Sequence, residues 1–260
     1  MSPSDALNQY RSEGYVICPP ILDHTELERV RVHIDLLQEG KLETPSPNYY
    51  SFWKPGDNPT MLRKLDNPHL VDSVIHQTIR HPNLGKWAAA LHPGCKLVQV
   101  WAVQLLYKPP GDMEKGSVGW HQDQDYWSGW WKKGSTLFTA WVGISDVPME
   151  SGPMLFARKS HEWGHLDRGD FFGQNLEATK QKIRDASGQP WEEAPDVMPA
   201  GGVSFHHRLT VHGSRPNQSA KPRISFAIHL RTEDSWPAET PHFYNEHLDD
   251  EKICPVIWRA

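Results

Sequence analysis

The stretch Arg223-Ile224-Ser225-Phe226-Ala227-Ile228-His229-Leu230-Arg231 decides the fold class. Ile224, Phe226, Ile228 and Leu230 alternate with Ser225, Ala227, His229 and Arg231. A period of two belongs to extended backbone with one apolar face, so the stretch reads as a half-buried strand. Working back toward the N-terminus, the same texture recurs. Gly202–His206, Met154–Phe156 and Leu137–Val147 read as strands, and Leu97–Tyr107 as a long one closed by Pro109-Pro110-Gly111. Residues 161–195 form a polar insertion with one helix, Leu176–Arg184.

Before Pro93-Gly94 the pattern turns helical. Asp23, with Glu26 three residues on, forms a capping box, and Leu27, Val30, Ile34 and Leu37 recur at helical spacing until Gly40. Asp5–Arg11 reads as a short helix and Tyr15–Cys18 as a short strand stopped by Pro19-Pro20. Residues 41–66 read as a proline-rich loop. Pro68–Arg80, capped by Asn67, and Asn83–Leu91 read as helices. Helices first, then short strands between Gly/Pro turns, predict a mainly β antiparallel sandwich or barrel braced by N-terminal helices. The expected organisation is one domain over 1–260, with 1–95 as a mostly helical brace and 96–260 as the β core.

Composition excludes several partners. The chain has 260 residues, 27 Lys+Arg against 32 Asp+Glu, and a formal net charge of −5. A mildly acidic chain with no basic run is a poor match for nucleic acid or an anionic membrane. No apolar stretch approaches the ~20 residues that span a bilayer. Cys18, Cys95 and Cys254 are odd in number and widely spaced, which predicts free thiols in a reducing, cytoplasmic compartment. The start, Met1-Ser2-Pro3-Ser4-Asp5, lacks the features of a signal peptide.

Fifteen histidines raise the question of a metal. His-x-Asp occurs four times, at His33, His121, His165 and His247. On a strand, residues i and i+2 share a face and reach one ion; on a helix they diverge by roughly 200°. His33 and Asp35 lie on a helix, His165 and Asp167 in the polar insertion, and His247 and Asp249 near the C-terminus. His121 and Asp123 remain, after the turn Gly116-Ser117-Val118-Gly119. His212 is the best third donor for a two-His, one-carboxylate face, which leaves three positions of an octahedral Fe(II) open. Arg223, eleven residues beyond, would bind a dicarboxylate through a bidentate pair. His206 and His207 read as strand and loop residues. His229 and Arg231 share parity with Arg223 and are candidate pocket residues.

Here the chain resembles the phytanoyl-CoA dioxygenase family of Fe(II)/2-oxoglutarate oxygenases. The resemblance rests on five pieces in order: Gln104 through Gly111, Trp120-His121-Gln122-Asp123, Trp141, Ser151-Gly152-Pro153-Met154 with Ser160-His161, and Gly202 through Arg223. It implies a double-stranded β-helix (jelly-roll, cupin-like) with iron on His121, Asp123 and His212. Arg223 would hold the far carboxylate of 2-oxoglutarate, with Gln104, Gln122, Trp141, Ser214 and Lys64 around that co-substrate. The implied chemistry converts 2-oxoglutarate and O2 to succinate and CO2 while a substrate C–H bond is oxidised. A carboxylate at Asp123, where related halogenases carry a small residue, favours hydroxylation over halogenation. Trp127 with Tyr126, Trp53, His229 and Arg231 are the candidate substrate contacts. No basic cluster suits CoA phosphates, so the expected partner is a free small metabolite and the expected assembly a monomer or homodimer.

Two rivals stand beside this reading. His161-Glu162-Trp163-Gly164-His165 matches the H-E-x-x-H pattern of zinc peptidases, in which two His one turn apart bind zinc and the Glu acts as base. Gly164 weakens a helix there, and the segment has no amphipathic stripe. The other rival is a metal-binding sensor on the same barrel without turnover.

Overall fold

The structure, a computed structural model, describes residues 1–111 and 116–260. The helices are α1 (Pro3–Glu13), α2 (His24–Gln38), α3 (Ser73–Ile79), α4 (Pro82–Leu91), α5 (Gln124–Trp127), α6 (Leu176–Ser187) and α7 (Phe243–Glu246). The strands are β1 (Tyr15–Cys18), β2 (Tyr50–Ser51), β3 (Arg63–Asp66), β4 (Leu97–Lys108), β5 (Val118–His121) and β6 (Leu137–Gly143), followed by β7 (Met154–Ala157), β8 (Glu193–Pro195), β9 (Val203–His207), β10 (His212–Ser214), β11 (Arg223–Thr232) and β12 (Val256–Arg259). They build two antiparallel sheets of a jelly-roll. The larger runs β1-β9-β6-β11-β4-β3-β2, with β12 paired to one end of β4; the smaller runs β5-β10-β7-β8.

Both faces of β11 are buried, which corrects the half-buried reading. Ile224, Phe226, Ile228 and Leu230 join the main core, which α1 to α4 cover with residues such as Val30, Ile34, Ile75 and Leu84. The other face carries Arg223, Ser225, Ala227 and His229 and looks toward the smaller sheet. Tyr15, Trp141, Phe156 and Ala227 fill one part of that inter-sheet space, and a cavity occupies the rest. Alternation here separates core from cavity, and neither face meets solvent.

Three further expectations change. Residues 41–66 contain β2 and β3, and Lys64↔Leu106 and Asp66↔Gln104 pair β3 to β4. The predicted helix 68–80 is broken: Pro68–Leu70 is a short 3-10 turn, and Asp72 caps α3 through Ile75 N–H at 2.9 Å. Asn67 makes no cap; its φ is +54°, and its amide donates to Asn48 O at 3.0 Å. The third change is β6, which stops at Gly143 rather than Val147. No helix among the described residues is long and apolar enough to cross a membrane.

Candidate active site

His121 ends β5, and Asp123 lies just past it, in helical backbone (φ −53°, ψ −33°) at the start of α5. The expectation that both sit on one strand is therefore corrected: a turn, not a pleat, aims the carboxylate. His212 opens β10 and pairs directly with His121, so the two imidazole rings lie 4.2 Å apart, tilted by 53°. Ser160 fixes the approach to His212, since its hydroxyl accepts from Val211 N–H at 2.7 Å.

The ring orientations follow from the backbone. His121 Nδ1 lies 2.8 Å from Gly119 O, and His212 Nδ1 lies 2.9 Å from Thr210 O. A carbonyl only accepts, so both Nδ1 atoms carry the proton and both Nε2 atoms offer a lone pair. Those Nε2 atoms stand 3.9 and 3.7 Å from Asp123 Oδ1. Burial lowers both imidazoles, His212 well below its ordinary value with help from His121 and His206. Burial alone would raise the Asp123 carboxyl, but His212, then His206 and His229, outweigh it and hold it below the usual range. Two neutral imidazoles and a carboxylate thus turn three lone-pair donors on one point. That is a cation's donor set and not an ion pair.

The second carboxylate oxygen is fully engaged. Thr139 donates to Asp123 Oδ2 at 2.6 Å, and His206 Nε2 does so at 3.1 Å. Such outer partners fix a ligand's orientation. Sequence reasoning missed both. Thr139 shared parity with Trp141 on one strand, and Thr139↔His206 pair across β6 and β9. Only that register places His206 here.

Arg223 is buried, lies 5.4 Å from the Trp141 ring, and donates one Nη1 bond to Gly152 O. Its Nε has no partner, and no carboxylate lies within 4 Å of it among the described residues. Burial lowers it to about 10, so it stays a cation. Gly152 is held at φ +65°, and a Cβ there would stand 2.3 Å from Arg215 O. Opposite Arg223 on β4 is Lys108, fully buried, which donates to Ser214 Oγ at 2.7 Å and leaves the serine's proton free.

The His121, Asp123 and His212 donors and Arg223 face one cavity of about 1040 Å³, counting its open mouth. Gln104, Trp141, Ser214, Lys64, Tyr126, Trp127 and His229 line it. Lys64 is not free there, because it donates to Asp66. Three expectations fail. Gln122 turns away and braces loops, donating to Gly164 O and Leu209 O and accepting from Leu166 N–H. Trp53 donates to Asn58 O and lies 3.9 Å from the Arg63 guanidinium, off the cavity. Arg231 does share β11's inner face, but it bonds Gln99 Oε1 beyond the cavity's end.

Trp101 is an unforeseen wall residue. The β11–β4 register shifts between His229↔Ala102 and Leu230↔Val100, so Trp101 is an extra residue in β4. Trp101 and Ala102 then both reach the cavity. Trp120 instead packs on Trp191 in a separate apolar cluster. The insertion supplies Phe171, whose ring lies 5.2 Å from His121 and whose carbonyl accepts from Gly119 N–H. A Cβ on Gly119 would stand 2.0 Å from Asp170 O, so only glycine admits this crossing.

The H-E-x-x-H segment does not assemble. Ser160–Trp163 is a 3-10 turn ending at Gly164; His161 Nε2 bonds Arg11 O, and His165 Nε2 bonds Asp125.

Residues 10–225 match the phytanoyl-CoA dioxygenase family. The chain belongs to that family. As a phytanoyl-CoA dioxygenase family member it is an oxidoreductase. A probable α-ketoglutarate-dependent hypophosphite dioxygenase from Stutzerimonas stutzeri is 25% identical over 238 residues, covering 88% of this chain and 78% of that protein. A non-haem α-ketoglutarate-dependent carbocyclase from nogalamycin biosynthesis superposes with a TM-score of 0.68 at 26% identity, over 90% of this chain and 85% of its own. The epimerase of nogalamycin biosynthesis, solved with Fe3+, α-ketoglutarate and a nogalamycin compound, gives 0.68 at 21% identity, over 93% and 88%.

Proposed function

We propose that this phytanoyl-CoA dioxygenase family protein is a non-haem Fe(II)/2-oxoglutarate-dependent dioxygenase that hydroxylates a small organic metabolite. One observation carries the reading: His121 Nε2, His212 Nε2 and Asp123 Oδ1 converge in the cavity where Arg223 stands as a buried cation with no carboxylate within 4 Å among the described residues. His121, Asp123 and His212 are the iron ligands. Arg223 would pair with the far carboxylate of 2-oxoglutarate, with the Ser214 hydroxyl, Trp141 and Gln104 lining the same cavity. Bound Fe(II), with 2-oxoglutarate and O2, supplies the oxidising power for C–H cleavage as succinate and CO2 form. Thr139 and His206 keep the second oxygen of Asp123 out of that point. Phe171, Trp127 and Trp101 exclude water from the reacting face.

The relative named for hypophosphite acts, by its name, on a small inorganic anion. The cavity here is lined largely by indoles, other aromatic rings and aliphatic side chains, the kind of wall that receives an organic ligand. These features support an apolar or ring-containing substrate.

The test is anaerobic addition of Fe(II), then 2-oxoglutarate, to the purified protein. A weak visible charge-transfer band is expected, as is its loss in His212→Ala. Tight metal binding with no band and no succinate rejects the reading.

A further inference from the structure

We infer that His229 is a fixed hydrogen-bond acceptor in the cavity, so that the prime substrate is a neutral, ring-bearing molecule with a hydroxyl or N–H donor that docks on its Nε2. This rests on the oxygenase reading only in calling the ligand the prime substrate. The tautomer follows from counting protons. Thr139 Oγ1 lies 2.6 Å from Asp123 Oδ2 and 3.0 Å from His229 Nδ1. A hydroxyl has one proton, and the carboxylate, which has none, takes it. Thr139 Oγ1 therefore accepts from His229, and Nδ1 carries the hydrogen. Burial, which lowers the imidazole to about 4, keeps the ring neutral. Nε2 is then a bare lone pair, and it has no protein partner among the described residues.

The surroundings define what meets it. Trp101 stacks on the His229 ring at 5.4 Å and 30°, and Trp127 meets it edge-on at 4.9 Å. The indoles lock the ring plane and form an apolar wall suited to a flat ring system. Charge gives the second constraint. Among the described residues, the acidic and basic side chains lining the cavity besides Asp123 and Arg223 are Lys64 and Asp66, and these pair with each other. Among the described residues no unpaired charge is left there to hold an ionic substrate, so a neutral donor fits. The same chain of hydrogen bonds runs from His229 through Thr139 to Asp123. A donor held on Nε2 is thereby registered to the iron ligand through two hydrogen bonds.

The test reads the histidine ring nitrogens of metal-free, 15N-histidine-labelled protein by long-range 1H–15N correlation, with the His229→Gln spectrum as assignment. The expected result is a hydrogen on His229 Nδ1 and none on Nε2 at neutral pH. Thr139→Ser retains that pattern, and Thr139→Val loses it. Phenol, a ring with a donor, shifts the Nε2 resonance, and anisole, the same ring without one, leaves it in place. An Nε2–H tautomer or an imidazolium in the wild type overturns the inference. So does an Nε2 that phenol fails to move, or that anisole moves equally. Because no metal is present, this result separates from the charge-transfer test. A band with the wrong tautomer defeats the substrate inference alone, and the right tautomer without a band defeats the oxygenase reading alone.

Discussion

The two faces of β11 do different work with the same backbone. Toward the helices, Ile224, Phe226, Ile228 and Leu230 are interchangeable in kind, since any apolar side chain of the right volume would contribute burial. Toward the smaller sheet, Arg223 and His229 are buried polar groups whose value depends on a particular neighbour. Burying such groups opposes folding unless a partner is supplied. Thr139 supplies one for His229, whereas Arg223 keeps an unpartnered Nε. The helix-side face stabilises the strand, and that stability holds the other face with the Arg223 Nε unpartnered among the described residues.

Substitutions on the two faces should therefore fail in different ways. The largest effect belongs to the donor set. Asp123→Ala should reduce iron-dependent succinate formation to background while the protein still unfolds cooperatively. Turnover at the wild-type level would break the comparison at its root. On the helix side, Phe226→Ala should lower unfolding stability by about 3–5 kcal/mol. The folded fraction should keep its 2-oxoglutarate affinity, as titration of the charge-transfer band would show. Arg223→Met should do the reverse. Losing a buried charge-assisted pair costs about 2–5 kcal/mol, so the apparent KM for 2-oxoglutarate should rise roughly 30-fold or more. A change confined to the KM of the prime substrate would remove Arg223 from its role. His206→Phe leaves the three donors in place but frees one bond to Asp123. Iron affinity should fall roughly 10- to 100-fold, and an unchanged dissociation constant would reduce His206 to packing.

The same contrast explains what could be read before the fold was known. Apolar periodicity reports burial, and the strands it marked and α2 with its Asp23–Glu26 box are present, while the helix expected over 68–80 breaks into a 3-10 turn and α3. It cannot tell a solvated face from a cavity face, so β11 looked half-exposed. His121, Asp123, His212 and Arg223 are proposed from the ordered motifs that carry the family resemblance, since His-x-Asp alone occurs four times and each residue alone reads as structural. Gln122 misled because a residue between two inward-facing neighbours points outward, and its amide serves the loops. Thr139 and His206 depend on register between distant strands, and Trp101 on an extra residue in β4. No local pattern encodes either. Phe171 arrives from the insertion, where composition shows only polarity.

The smallest effect sharpens the comparison behind Arg223. Asp196 is fully buried, and its Oδ2 accepts from Ser204 at 2.6 Å while its Oδ1 has no partner. Burial pushes its carboxyl up to about 7, against the weaker pull of Ser204 and Arg223. An acid raised in the folded state keeps its proton after the unfolded chain has lost it. Deprotonation then favours unfolding, so this group's penalty is absent below 3.8, grows as pH climbs to about 7, and is constant above. Asp196→Asn should remove that slope. The variant should match the wild type in acid and exceed it in stability near neutrality, as denaturant midpoints across the series would show. Parallel curves would mean that Asp196 is ionised throughout and neutralises Arg223. A carboxyl that stays protonated toward neutrality leaves the Arg223 charge for the proposed dicarboxylate, a role the apolar reverse face of β11 could not take.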